Sequence, residues 1–149
     1  MKRSSIFGLL ILAVLLVTMY PVKKSAQNAP RLAINGNIIQ VQVADTMAER
    51  TQGLSGRSSL GEYDGMLFIM NTKELHTFWM KGMQFPIDII WIDGNAIVDI
   101  SENVPVPNNQ YDIPRIQPSG PVDRVLEINA GSAKKLGIAI GDRVEFILQ

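Results

Sequence analysis

The segment FWMKGMQFPIDIIWIDG, from Phe78 to Gly94, decides how the rest of the chain is read. Between Pro86 and the Asp93-Gly94-Asn95 turn signal lies an apolar run that carries an acid, Asp88, in its middle. Side chains of a strand alternate between faces, so Asp88 shares one face with Ile90 and Ile92, and Ile87, Ile89 and Trp91 share the other. A strand apolar on both faces belongs inside a core. An acid within it must be hydrogen-bonded, paired or protonated, because an isolated buried charge is very costly.

Working outward, the same alternation recurs. Leu32–Ile34 and Ile38–Ala44 flank Asn35-Gly36, a strong hairpin signal, and the second arm alternates Ile39, Val41 and Val43 with Gln40 and Gln42. Asp45 or Thr46 is placed to cap a short helix over Met47–Gln52, which Gly53 stops. Met66–Met70, Phe78–Met80, Ile87–Ile92, Ala96–Ile100, Val122–Asn129 and Arg143–Leu148 read as further strands, and Ala130–Leu136 as a second helix ending at Gly137. Val104–Pro121 holds five of the eight prolines and reads as one long loop without regular structure. These elements predict a mostly β, β-rich α+β domain: a compact barrel- or sandwich-like arrangement of about seven or eight short strands with two short helices.

The N-terminus is of a different character. Lys2 and Arg3 precede an uncharged run from Ser4 to Val22, closed by Lys23 and Lys24. At helical rise that run spans roughly 28 Å, enough to cross a bilayer core of about 30 Å. Its most apolar part, Ile6–Val17, also has the length of a secretory signal, but neither Ala26 nor Ala29 ends a small-x-small cleavage site. Residues 1–24 are therefore expected to be a membrane anchor or signal segment, 25–31 a linker and 32–149 an exported domain, periplasmic or at the cell surface. From Leu32 onward nine basic residues face fourteen acidic ones, a net charge of −5 that disfavours nucleic acid as a partner. With no Cys, disulfides and thiolate metal sites are excluded.

Five blocks in order carry a resemblance: VADTMAERTQGLSGR at Val43–Arg57, GMLFIM at Gly65–Met70, FWMK at Phe78–Lys81, PIDIIWID at Pro86–Asp93 and VLEINAGSAKKLGIAIGDRV at Val125–Val144. The chain resembles the domain-of-unknown-function family 192 (DUF192) over about Val41 to Phe146. That resemblance implies a small β-rich fold, exported or membrane-anchored. It implies no substrate, cofactor or catalytic residue.

Candidate site residues thus rest on chemistry alone. Lys81 and Asp88 could form an acid–base pair, or a structural ion pair, or Asp88 could accept backbone N–H groups; Arg57, with its bidentate fork, is an alternative partner for the buried acid. Tyr111 and Arg115 in the Pro-rich loop could line a binding groove. Met80, Met83 and His76 offer soft ligands for Cu(I), although methionine is equally a gap-filler of cores. The aromatic cluster of Phe78, Trp79, Phe85 and Trp91 could stack on sugars, with core packing the simpler assignment. No G-x-S-x-G, HExxH, P-loop or G-x-G-x-x-G motif occurs, and no cofactor is expected. The expectation is a membrane-tethered binding module for an envelope ligand, with a hydrolase using Asp88 and Lys81 or Arg57, or a Cu(I) protein, as alternatives.

Overall fold

The computed structural model describes residues 29–109 and 111–147. Among these residues nine strands and two short helices follow one another. They are β1 (Arg31–Ile34), β2 (Asn37–Ala44), α1 (Met47–Gln52), β3 (Asp64–Glu74), β4 (Phe78–Trp79), β5 (Ile87–Asp93), β6 (Ala96–Val104), β7 (Arg115–Ile116), β8 (Val122–Asn129), α2 (Ser132–Lys135) and β9 (Val144–Ile147). Seven strands form one sheet in the order β6-β5-β8-β3-β2-β1-β9, antiparallel throughout except for the parallel β2–β3 pair. The sheet curls into a half-barrel. Its two edge strands meet at one end, where Ala96 bridges Arg143, and Ile97 N–H donates to the Asp142 carbonyl at 2.9 Å.

Two cores lie on the two faces of this sheet. The enclosed face gathers Leu32, Ile34, Ile39, Val41, Leu67, Ile90, Ile92, Leu126 and Ile128, and both edge strands contribute to it through Ile97 and Val144. The second face carries Met66, Phe68, Ile87, Ile89, Trp91 and Val125, roofed by Leu54 after α1 and by Met80 after β4. Strand β5 lies between β6 and β8, and Ile87 through Ile92 are all buried, with even-numbered residues on the enclosed face and odd-numbered ones on the second. Trp91 is buried without an orphaned donor, because its Nε1–H donates to Ser101 Oγ at 3.0 Å.

Local chemistry accounts for the connections. Asn35 and Gly36, at φ of 51° and 77°, make the left-handed pair that a two-residue hairpin requires, and Ile34 pairs with Asn37 across it. Helix α1 begins with a reciprocal capping box: Glu49 N–H donates to Thr46 Oγ1 at 3.2 Å, and Thr46 N–H donates to Glu49 Oε2 at 3.0 Å. These bonds to Thr46 hold the Glu49 carboxyl below its ordinary pKa. Because α1 buries no residue of its own, the cap is a large part of what holds it. Thr46→Ala is expected to lower stability by about 1 kcal/mol, measured by urea unfolding. An unchanged midpoint would show that α1 is held by its flanks alone.

Two expectations are corrected. The Pro-rich stretch is not without regular structure, because β7 within it pairs with β4, placing Phe78 opposite Ile116 and Trp79 opposite Arg115. The second helix shrinks to Ser132–Lys135, and the strands among the described residues number nine, β3 and β6 extending well beyond the expected ranges. No helix among the described residues is long and apolar enough to cross a membrane, and the expected segment over residues 1–24 lies outside them.

Candidate functional site

Asp88 is fully buried, and backbone N–H groups surround its carboxylate. Oδ1 accepts from Asn103 at 2.8 Å and from Gly131 at 3.1 Å, and Oδ2 accepts from Ala133 at 2.9 Å. The pairing of β5 with β6 explains the first bond. Ile87 pairs with Val104 and Ile89 with Ser101, so β6 carries an extra residue opposite Asp88. Asn103 there adopts φ 53°, which turns its N–H from the ladder onto the acid. The other two bonds come from the start of α2, which has no cap from its own side chains. Asp88 thus fastens β5 to the β6 bulge and to α2. Among the described residues no hydrogen bond or ion pair joins it to Lys81 or Arg57.

A different acid occupies the second face. Glu127 in β8 is 5% exposed, and the register sets Gln42, Met66, Glu127 and Ile89 side by side across four strands. Above it, α1, the turn after it, β3 and β4 enclose a pocket of about 260 Å³ with Glu127 in its lining. Its walls are Phe68, Met70, Phe78, Trp79, Met83 and Leu54, with Met47 and Arg50 on the α1 side. Phe78 is locked edge-on between Phe68 and Trp91, at centroid distances of 5.0 and 5.4 Å. Trp79 beside it is 48% exposed and forms part of the rim rather than the core. Among the described residues no hydrogen bond reaches the Glu127 carboxyl, and burial pushes its pKa up to about 8 against an opposing pull from Arg57. Arg57 itself donates from Nη2 to Gln42 Oε1 at 2.7 Å. The buried acid that Arg57 faces is therefore Glu127, not Asp88.

The remaining candidates are spread around this pocket. Lys81 and Tyr111 line a second hollow with Met83, Pro107 and Ile113, and Met83 belongs to both. Tyr111 is 89% exposed, and Arg115 projects from β7 opposite Trp79. His76 donates from Nε2 to the Thr72 carbonyl at 2.9 Å, and its Nδ1 lies 3.7 Å from Glu74. Met80 is buried in the core of the second face and Met83 packs against that same core, while His76 is engaged by Thr72 and Glu74. Among the described residues no three His, Asp or Glu side chains gather as a metal site. Glu127 was missed by sequence reasoning, since an acid in an alternating strand reads as solvent-facing. The one available hint was its place in VLEIN, with Val125 and Leu126 before it and Ile128 after it.

A curled mixed sheet, with a pocket on its outer face and Glu127 as the one acid in that pocket's lining, defines a small β-rich domain. The chain belongs to the DUF192 family, described as Uncharacterized ACR, COG1430, which matches residues 31–146. Two solved structures share the fold. A protein of unknown function from Novosphingobium aromaticivorans DSM 12444 is 35% identical, with a TM-score of 0.69 over 77% of this chain and 83% of that one. A protein from Sinorhizobium meliloti 1021, described as a proposed transcription regulator, is 34% identical, with a TM-score of 0.69 over 78% of this chain and 91% of that one. No curated protein matches.

Proposed function

We propose that this domain is a binding module and that its ligand enters the pocket between α1 and β4. The observation that carries the reading is Glu127, buried, without a hydrogen-bond partner among the described residues, in a pocket where aromatic and methionine side chains meet the polar groups of Arg50, Thr51, Gln52 and Ser55. Burying an ionisable group costs folding free energy, and groups held at such a cost cluster at functional sites. The pocket is smaller than the roughly 300–1,000 Å³ of drug-sized sites, which suits a compact ligand or a single side chain. The neighbouring hollow, with Lys81 and Tyr111, supports an extended ligand crossing Met83 from one to the other. The apolar N-terminal run supports tethering at the cell envelope. The net charge of −5 gives no support to binding nucleic acid.

A hydrolase is the second reading, favoured by the same carboxyl. Its raised pKa keeps it mainly protonated near neutrality, as a general acid requires. Asp88, with its oxygens taken by backbone N–H groups, offers less.

Trp79 and Trp91 are the only tryptophans, so each indole N–H resonance reports on one location. Screening small fragments against the full-length protein by two-dimensional NMR is expected to move the Trp79 indole and the Gly53 and Leu54 amides. Trp79→Ala is expected to weaken those hits about tenfold, in line with the loss of one stacking wall. Hits that gather elsewhere on the surface would remove the pocket from consideration.

A further inference from the structure

Resting on the pocket as the binding site, we infer that its ligand is an organic ammonium ion, the charged head set against Glu127 and a short apolar arm lying between Phe78, Trp79 and Met83. The chemistry of the lining selects this class. Glu127 is the one acidic group in it; the rings of Phe68, Phe78 and Trp79 and the thioethers of Met70 and Met83 line it from β3, β4 and the turn after β4, and the polar side chains of Arg50, Thr51, Gln52 and Ser55 from α1 and the turn after it. Ring faces attract a cation, most strongly where water is excluded, and a carboxylate behind them completes an aromatic cage. An anion finds less. Arg50 turns Nη1 onto the carbonyls of Asp45 and Ile69, and Arg57 donates to Gln42. The net charge of −5 from Leu32 onward adds a field that concentrates cations at the domain surface.

The head group must also displace the proton that burial keeps on Glu127. The charged group acting on that carboxyl is Arg57, from the turn after α1, and Arg50 on α1 shares the pocket lining. The positions beside it on β3 and β5 are Met66 and Ile89, and Phe78 and Trp79 of β4 share its pocket; none of these titrates. Ammonium binding is therefore expected to release a proton, and to tighten about tenfold between pH 7 and pH 9, while a neutral ligand of the same shape is indifferent to pH.

The test is an NMR titration of the full-length protein, read at the Trp79 indole, with n-pentylammonium, 1-pentanol and pentanoate. A fourth probe, N-acetyl-lysine amide, distinguishes a lysine side chain from a free amine as the source of the ammonium group. Expected are binding of n-pentylammonium at least tenfold tighter than 1-pentanol at pH 9, and loss of that preference in Glu127→Gln with pentanol binding unchanged. Equal binding of ammonium and alcohol, or a preference for pentanoate, would overturn the ammonium assignment and leave the pocket standing. Silence of Trp79 toward all four probes would overturn both.

Discussion

Asp88→Asn is expected to destabilise the domain by about 3 kcal/mol, lowering Tm by on the order of 10 °C. The carboxylate accepts from three backbone N–H groups, two on Oδ1 and one on Oδ2. Asparagine keeps one acceptor oxygen, which can hold Asn103 and Gly131. Its amide nitrogen then faces the Ala133 N–H, donor against donor, and turning the amide over only moves the mismatch to the other pair. Each buried donor left without an acceptor costs about 1–3 kcal/mol, and the charge-assisted character of the surviving bonds is lost as well. Asp88→Ala empties the site altogether and is expected to cost about 4 kcal/mol or more. Denaturant unfolding of both variants checks this. A Tm within about 2 °C of the parent for Asp88→Asn would show that the three bonds carry little net stability and would return Asp88 to the list of functional candidates.

Glu127 is expected to act in the opposite direction, with a dependence on pH. In the folded protein its pKa is pushed up to about 8 from the usual 4.5, chiefly by burial. Between those values the folded state holds a proton that the unfolded chain has released, so stability falls as pH rises through the window. It is highest below the lower value and levels off above the upper one. The fall is on the order of 4 kcal/mol across the whole window. Glu127→Gln keeps the shape and cannot titrate. The variant is expected to be a few kcal/mol more stable than the parent at pH 9, with that advantage shrinking steadily toward pH 4.5. Other titrating groups, Glu49 among them, are common to both proteins and cancel in the difference. A difference independent of pH between 4.5 and 9 would mean that Glu127 is solvated in the folded state, and the pocket would lose the feature that marks it. Taken together, the two substitutions separate a carboxyl that holds the fold from one that the fold carries at a cost.

The contrast between these acids also shows what was legible beforehand. Both lie in strands recognised from their apolar runs, and the alternation in β5 correctly sets Asp88 with Ile90 and Ile92. What surrounds each acid was not legible. Asp88 meets a bulge in β6 and the first turn of α2, and Gly131 and Ala133 lie more than forty residues away along the chain. Glu127 looks solvent-facing in a strand that alternates, and only the docking of α1 and β4 over that face buries it. Two-residue β7 was invisible for a related reason: Arg115-Ile116 has no pattern of its own and becomes a strand only because Phe78-Trp79 offers an edge to pair with.

Local interactions therefore determined, from the sequence by itself, the hairpin at Asn35-Gly36, the capping box of α1, the doubly buried β5 and the order of most elements, since these depend on neighbours a few residues apart. The tertiary structure alone decided the rest: how the sheet curls until Ala96 meets Arg143, which face the helices cover, and which of two buried acids is satisfied. A carboxyl's environment is set by whatever packs against it, and for Glu127 those partners come from β3, β5, α1 and β4 at once.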